Sequence, residues 1–234
     1  MGKNLIQQRR GKGSIRFRAK KKTFSVKLSY PKVEGEGKVV KLLNIGAFTA
    51  PIGLMKVENE KFFNIASEGM YEGQKIAIGR NASPEFGNIM PLELIPLGTD
   101  VYNIEIKPFE GGKLVRSGGI SAKVVKKLDN GVVVMLPSKE EKLLPKKARA
   151  TIGITAGGGR TEKPIVKAGK MWHMMKAKGK MYPRTSPIKM NAVCHPFGGG
   201  RGKNMGKPST PPRNAPPGRK VGLIRASRTG RKKR

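Results

Sequence analysis

The chain has 234 residues, of which 49 are Lys or Arg and only 15 Asp or Glu, giving a formal charge of +34 and a pI near 10.7. That imbalance calls for a polyanionic partner and excludes a neutral or cationic one as the main target. One cysteine excludes an internal disulfide framework and fits a reducing compartment, and no apolar run approaches the roughly 20 residues that span a bilayer.

The charge is unevenly spread. Residues 1–32 carry 11 basic and no acidic side chains, 33–159 carry 17 and 14, and 160–234 carry 21 and 1. A near-neutral body therefore lies between two cationic arms. The N-terminus has no apolar segment of the secretory kind, so a soluble intracellular chain without a membrane partner is expected.

Residues 1–22 read as an extended basic arm, with Gly2, Gly11 and Gly13 among Lys and Arg. Ordering such a segment costs backbone entropy that little burial offsets. From Thr23 the pattern changes. Phe24, Val26, Leu28 and Tyr30 alternate with polar residues, the two-residue period of a half-buried strand. Apolar segments at 39–45, 52–57, 62–66 and 75–78 follow, each bounded by Gly, Pro, Asn or Glu-Gly pairs. Five short strands with tight turns predict a small closed barrel. Residues 79–88 lose the periodicity and read as a linker.

A second β set is predicted at 101–106, 113–115, 122–128, 132–136, 142–144 and 148–154. Asp129-Asn130-Gly131 signals a hairpin, because Asn-Gly accepts the φ > 0 pair of a type I′ turn. The pattern is thus mainly β, with two small barrels in tandem. Residues 160–234 hold 10 glycines and 9 prolines, which break helices and sheet ladders, so a Gly/Pro-rich extension is expected. Residues 168–178, with Trp172, His173, Met174 and Met175, form the one predicted helix.

The stretch 191–207 reads NAVCHPFGGGRGKNMGK. Gly198, Gly199 and Gly200 lack side chains, so another backbone can approach closely and φ > 0 is open to them. Arg201, Lys203 and Lys207 bring cations to whatever approaches, which suits a phosphate-bearing polymer. Enzyme readings find little support. Cys194 and His195 are adjacent, which seldom places both on one reacting centre, and no separated residue completes a charge-orienting set. One Cys and two His do not fill a zinc site. A Walker A loop needs Gly at 197 and Ser or Thr at 204, where this chain has Phe197 and Asn204. No metal, cofactor or catalytic residue is expected.

Aromatics are scarce. Phe17, Phe24, Tyr30, Phe48, Phe62 and Phe63 fall in or near the first barrel, where they either stack bases on an exposed face or fill the core, the core reading being favoured for Phe24 and one of Phe62 and Phe63. Trp172, Tyr182 and Phe197 lie in the basic C-terminal region, where base stacking and local packing are both open. The run Lys20-Lys21-Lys22 and the terminal Arg231-Lys232-Lys233-Arg234 are read as phosphate contacts rather than solvated faces.

The 191–207 stretch resembles the glycine-rich loop of the universal large-subunit ribosomal protein L-two family, where a His-Pro pair precedes three glycines and a basic turn. Gly87-Asn88-Ile89-Met90-Pro91, Ile95-Pro96-Leu97-Gly98-Thr99, Ile106-Lys107-Pro108, Gly111-Gly112-Lys113-Leu114, Arg116-Ser117 and Arg149-Ala150-Thr151-Ile152-Gly153 resemble its middle. Gln8-Arg9-Arg10-Gly11-Lys12-Gly13 is similar to its archaeal and eukaryotic branch. Cys194 and Phe197 stand where the bacterial pattern has an acidic residue and a second histidine, and Phe197 is compatible with an archaeal member.

The resemblance implies an OB-like barrel over residues 23–84 and an SH3-like barrel over 85–159, between the arm 1–22 and an rRNA-binding region 160–234. It implies a non-enzymatic constituent of the cytoplasmic ribosome that binds large-subunit rRNA and neighbouring ribosomal proteins. Support of the peptidyl-transferase centre, of tRNA placement and of small-subunit association is implied as well. The residues expected on RNA are His195, Gly198, Gly199, Gly200, Arg201, Lys203 and Lys207, with Lys189, Arg213, Arg219, Lys20, Lys21 and Lys22 as further phosphate partners. Charge alone would also suit an architectural DNA- or chromatin-binding protein; an RNA-modifying enzyme is a third reading, without a nucleophile, metal or cofactor motif behind it.

Overall fold

The computed structural model describes residues 2–20, 23, 25–202 and 204–226. Residues 20–168 form one compact unit, and residues 1–19 with 169–234 form another.

The first unit is mainly β, an OB-like barrel followed by an SH3-like barrel. Its strands are β1 (Gly35–Leu43), β2 (Ile52–Val57), β3 (Glu60–Ile65), β4 (Lys75–Ile78), β5 (Ile89–Pro91), β6 (Asp100–Tyr102), β7 (Ala122–Leu128), β8 (Gly131–Met135), β9 (Glu141–Leu144) and β10 (Arg149–Ile152). They join in the order β3-β2-β1-β4-β5-β10-β6-β7-β8-β9. Neighbours pair antiparallel except β4 and β5, which touch in parallel at Ile78 and Ile89. One apolar core, with Ile95, Val101, Val124, Val134 and Ile152, fills the second barrel. Another, around Met55, Phe62 and Ile76, fills the first, and a third joins Leu28 and Ile65 of the first to Tyr102 of the second.

Several expectations need correction. No strand forms over the described residues 25–30. The alternation is real, since Leu28 and Tyr30 are buried, but the segment is a strap held by single bonds such as Ser29 N–H to the Phe63 carbonyl at 3.2 Å. The strand expected at 113–115 shrinks to one bridge between Ile104 and Leu114. Conversely, β5 is absent from the expected strands: at three residues, all buried, it is too short to show a period. The β7–β8 hairpin forms, with Leu128 opposite Gly131, so its two turn residues are Asp129 and Asn130. Neither has positive φ, so the turn is not type I′. Gly131 serves another need: a Cβ there would sit 2.5 Å from the Leu144 carbonyl oxygen.

The two barrels share a buried polar network. Arg149 and Glu105 are both buried, with Arg149 Nη2 3.1 Å from Glu105 Oε1. Arg149 Nη1 donates to the Pro31 carbonyl at 2.6 Å, so the strap is tied to the same guanidinium. The Glu105 carboxylate also accepts the backbone N–H groups of Arg149, Gly111 and Phe109 at 3.0, 3.0 and 3.2 Å. The guanidinium carbon lies 5.3 Å from the Tyr30 ring centroid and 5.0 Å from that of Phe109. The Tyr30 hydroxyl donates to the Asn103 carbonyl at 2.6 Å and lies 2.7 Å from Thr151 Oγ1. Asn64 of the first barrel completes the path, donating to Thr151 Oγ1 and accepting from Asn103 Nδ2 at 2.7 Å. Burial pushes the Tyr30 phenol well above its ordinary pKa, so it stays protonated.

The second unit has little regular structure. Its long helix is α2 (Ala168–Ala177), where the sequence predicts one. Gly179, at φ +64, closes it in a Schellman arrangement: Gly179 N–H reaches the Lys176 carbonyl and Lys180 N–H the Met175 carbonyl. The N-terminal segment is not wholly extended as expected. Helix α1 (Ile6–Gly11) forms there, with Gln8 Oε1 accepting the Leu5 N–H at 2.9 Å. Leu5 is what orders it, buried with Phe197 and Val221 in a small core. Single 3-10 turns occur at Ile15–Phe17 and Pro187–Lys189. Among the described residues, no helix is long and apolar enough to cross a membrane.

Candidate nucleic-acid interface

In the second unit the 190–199 segment folds back on itself. The N–H groups of Cys194 and His195 turn to the Asn191 carbonyl, Gly198 N–H to the His195 carbonyl, and Gly199 N–H to the Met190 carbonyl at 2.9 Å. Phe197 is the pin, buried against Leu5 and Val221. The Lys3 N–H bond to the Val193 carbonyl, at 2.8 Å, lays the N-terminal segment along the loop.

The three glycines serve different needs. A Cβ on Gly198 would lie 2.4 Å from the Asn191 carbonyl oxygen and 2.5 Å from that of Met190. The backbone that approaches Gly198 is therefore the chain's own. Gly199 and Gly200 have φ of 86° and 85°, a left-handed pair that L side chains avoid. A Cβ on Gly199 would lie 3.2 Å from that of Ala192, whereas nothing lies within 4 Å of one placed on Gly200; both glycines are exposed.

His195 is buried, and its Nδ1 accepts the Phe197 N–H at 3.0 Å. Its ring packs 5.3 Å from that of Phe197, centroid to centroid. Burial pushes the imidazole below its ordinary pKa. With Nδ1 accepting, the neutral ring carries its proton on Nε2. His195 thus shapes the loop, and Cys194 beside it is a half-buried free thiol. Among the described residues no group of His, Cys, Asp and Glu could hold a metal ion.

Two open grooves flank the loop. One, of about 850 Å³, is lined by Leu5, His195, Phe197, Lys207 and Arg219 among others. The other, of about 400 Å³, runs past Gly198, Gly199, Gly200 and Lys207. Arg201, Lys189 and Arg213 are exposed in the same unit, and Lys20 is exposed in the other. The expected contacts Lys21, Lys22 and Lys203, together with Phe24 and residues 231–234, lie outside the described residues. Among the described residues none of these cations forms an ion pair, and Glu162 is the last acidic residue of the sequence.

Of the two readings open for the first barrel's aromatics, core packing holds for those described on it. Tyr30 and Phe62 are buried, and Phe48 and Phe63 pack on the core. Phe197 packs locally as well. Among the described residues the exposed aromatics are Tyr71, Phe86, Phe109 and Trp172. Of these the sequence singles out only Trp172; the others sit in loops whose composition carries no stacking signal.

Residues 85–215 match the family described as Ribosomal Proteins L2, C-terminal domain. The large ribosomal subunit protein uL2 of Methanococcoides burtonii is 46% identical, over 99% of this chain and the whole of that protein. The protein of the same name from Hyperthermus butylicus is 48% identical over the full length of both. A chain with this tandem-barrel fold, matched over its whole length by two archaeal proteins, is an archaeal-like member of the ribosomal protein L2 family.

Proposed function

We propose that this chain, a structural constituent of the large ribosomal subunit, acts by scaffolding large-subunit rRNA and is not an enzyme. Its place is the cytoplasmic ribosome. The observation that carries the mechanism is the acid-free stretch after Glu162, folded around a loop whose backbone is bare at Gly199 and Gly200. Crowded phosphates repel one another, and a segment of this charge neutralises them so that RNA helices can pack. Arg201, Lys203, Lys207, Lys189, Arg213 and Arg219 are the phosphate partners, with Lys20, Lys21 and Lys22 serving the N-terminal arm. Gly199 and Gly200 let RNA backbone approach, Gly198 and His195 hold the loop in shape, and His195 presents Nε2–H to the groove.

In this reading residues 23–84 and 85–159 are the two barrels that recognise folded rRNA by shape, between the arm 1–22 and the rRNA-binding region 160–234. Supporting the peptidyl-transferase centre, tRNA placement and association with the small subunit belong to the same proposal, as do contacts with neighbouring ribosomal proteins.

Binding of the purified protein to large-subunit rRNA and to duplex DNA, across a salt series, tests it. The expected result is preference for rRNA, with affinity falling about a thousandfold or more between about 50 and 200 mM salt, as for six or more phosphate contacts. Equal affinity for duplex DNA, or an rRNA affinity indifferent to salt, would contradict the reading.

A further inference from the structure

Helix α2 buries none of its residues. Met171, Met175 and Lys178, spaced four and three apart, are half-buried and take its inner side. Trp172, the only tryptophan of the chain, is 39% exposed on the outer side, and Met174 beside it is 47% exposed. The Lys176 ammonium, one turn on, stands 4.4 Å from the Trp172 ring centroid, over its face. His173 meets the indole edge-on, with centroids 4.8 Å apart. One face of the indole is thus covered by a cation and its orientation held by a neighbouring ring.

We propose that the other face of Trp172 is a stacking platform for an unpaired RNA base, backed by Lys176. The inference rests on the rRNA-binding reading and adds a site to it. Charge complementarity selects the occupant. Lys167, Lys170, Lys176, Lys178 and Lys180 are close to Trp172 in the sequence, and no acidic residue lies between position 163 and the end of the sequence. A phosphate backbone neutralises those lysines while the base it carries covers the indole. Every base has a π-face, so such a platform needs no particular sequence.

The single tryptophan makes the test direct, because its emission reports this ring alone. The full chain is titrated with labelled single-stranded oligoadenylate and with an abasic strand of equal phosphate count. The expected result is quenching of Trp172 emission by oligoadenylate and not by the abasic strand. Trp172→Leu, which keeps good helix propensity, should bind oligoadenylate about tenfold more weakly and the abasic strand unchanged. Trp172→Phe should keep most of the affinity. Binding of both strands without quenching, with Trp172→Leu equal to the parent, would overturn the stacking site and leave the rRNA reading standing. Quenching by polyglutamate and not by oligoadenylate would assign the surface to an acidic protein instead. Failure of the parent chain to bind either strand while it binds large-subunit rRNA would overturn the stacking site alone, and failure to bind rRNA as well would overturn both readings.

Discussion

Replacing Glu105 with alanine is expected to lower the stability of the β unit by about 3–5 kcal/mol, the cost of removing one partner of a buried ion pair. The size follows from what the carboxylate holds. It faces the Arg149 guanidinium and accepts the N–H groups of Phe109, Gly111 and Arg149. Without it a buried cation and three backbone donors lose their acceptor at once, and each unsatisfied buried group carries its own desolvation cost. Glu105→Gln keeps an oxygen for the backbone donors and should cost less. Denaturant unfolding of the two variants measures the difference. A Glu105→Ala shift under about 1 kcal/mol would mean that water replaces the carboxylate, contrary to a sealed network.

The second large effect is expected at Gly198. A methyl group there meets two carbonyl oxygens of the chain's own backbone, those of Asn191 and Met190, which no rotamer change relieves. The loop must open, and the Gly199 N–H bond to Met190 goes with it. Overpacking of this kind costs about 1–3 kcal/mol, enough to reduce the population of the native loop about tenfold if it is marginally stable. Gly198→Ala should therefore incorporate poorly into large subunits while the denaturant midpoint of the β unit stays in place. Competitive incorporation of tagged parent and variant in cells checks this. Equal incorporation would show that the loop's fold is irrelevant to assembly.

Much of the architecture could be read from the sequence wherever one face of a strand is buried. β2, β4, β7 and β8 show that alternation or carry a turn signal at their ends, and α2 lies where it was expected. Reading failed where an element is too short or where the governing force is long-range. β5 has only three residues, too few to show a period. The strap at 25–30 has the period of a strand without a partner strand, and its Tyr30 is tied instead to Asn103 and Thr151, far along the chain. Helix α1 depends on Leu5 meeting Phe197 and Val221, a contact between the two ends of the sequence.

The candidate site was legible as composition and not as geometry. Three glycines among cations announce a bare, positive loop. They do not say that Gly198 is claimed by the chain's own carbonyls while Gly199 and Gly200 are exposed, because that depends on how the loop folds. His195 stands out by its neighbours in sequence, yet its acceptor role toward the Phe197 N–H appears only in three dimensions. Nothing in the sequence marks Tyr71, Phe86 and Phe109, because exposure is decided by the fold and not by residue type.

Sedimentation of the tagged protein through a gradient of cell lysate, after a high-salt wash, tests the central claim most directly. Screening weakens surface charge pairs beyond about 10 Å at moderate salt, but it does not extract a chain packed among RNA helices. Co-migration with large ribosomal subunits that survives the wash is the expected result. Release by the wash, or migration with DNA, would contradict it.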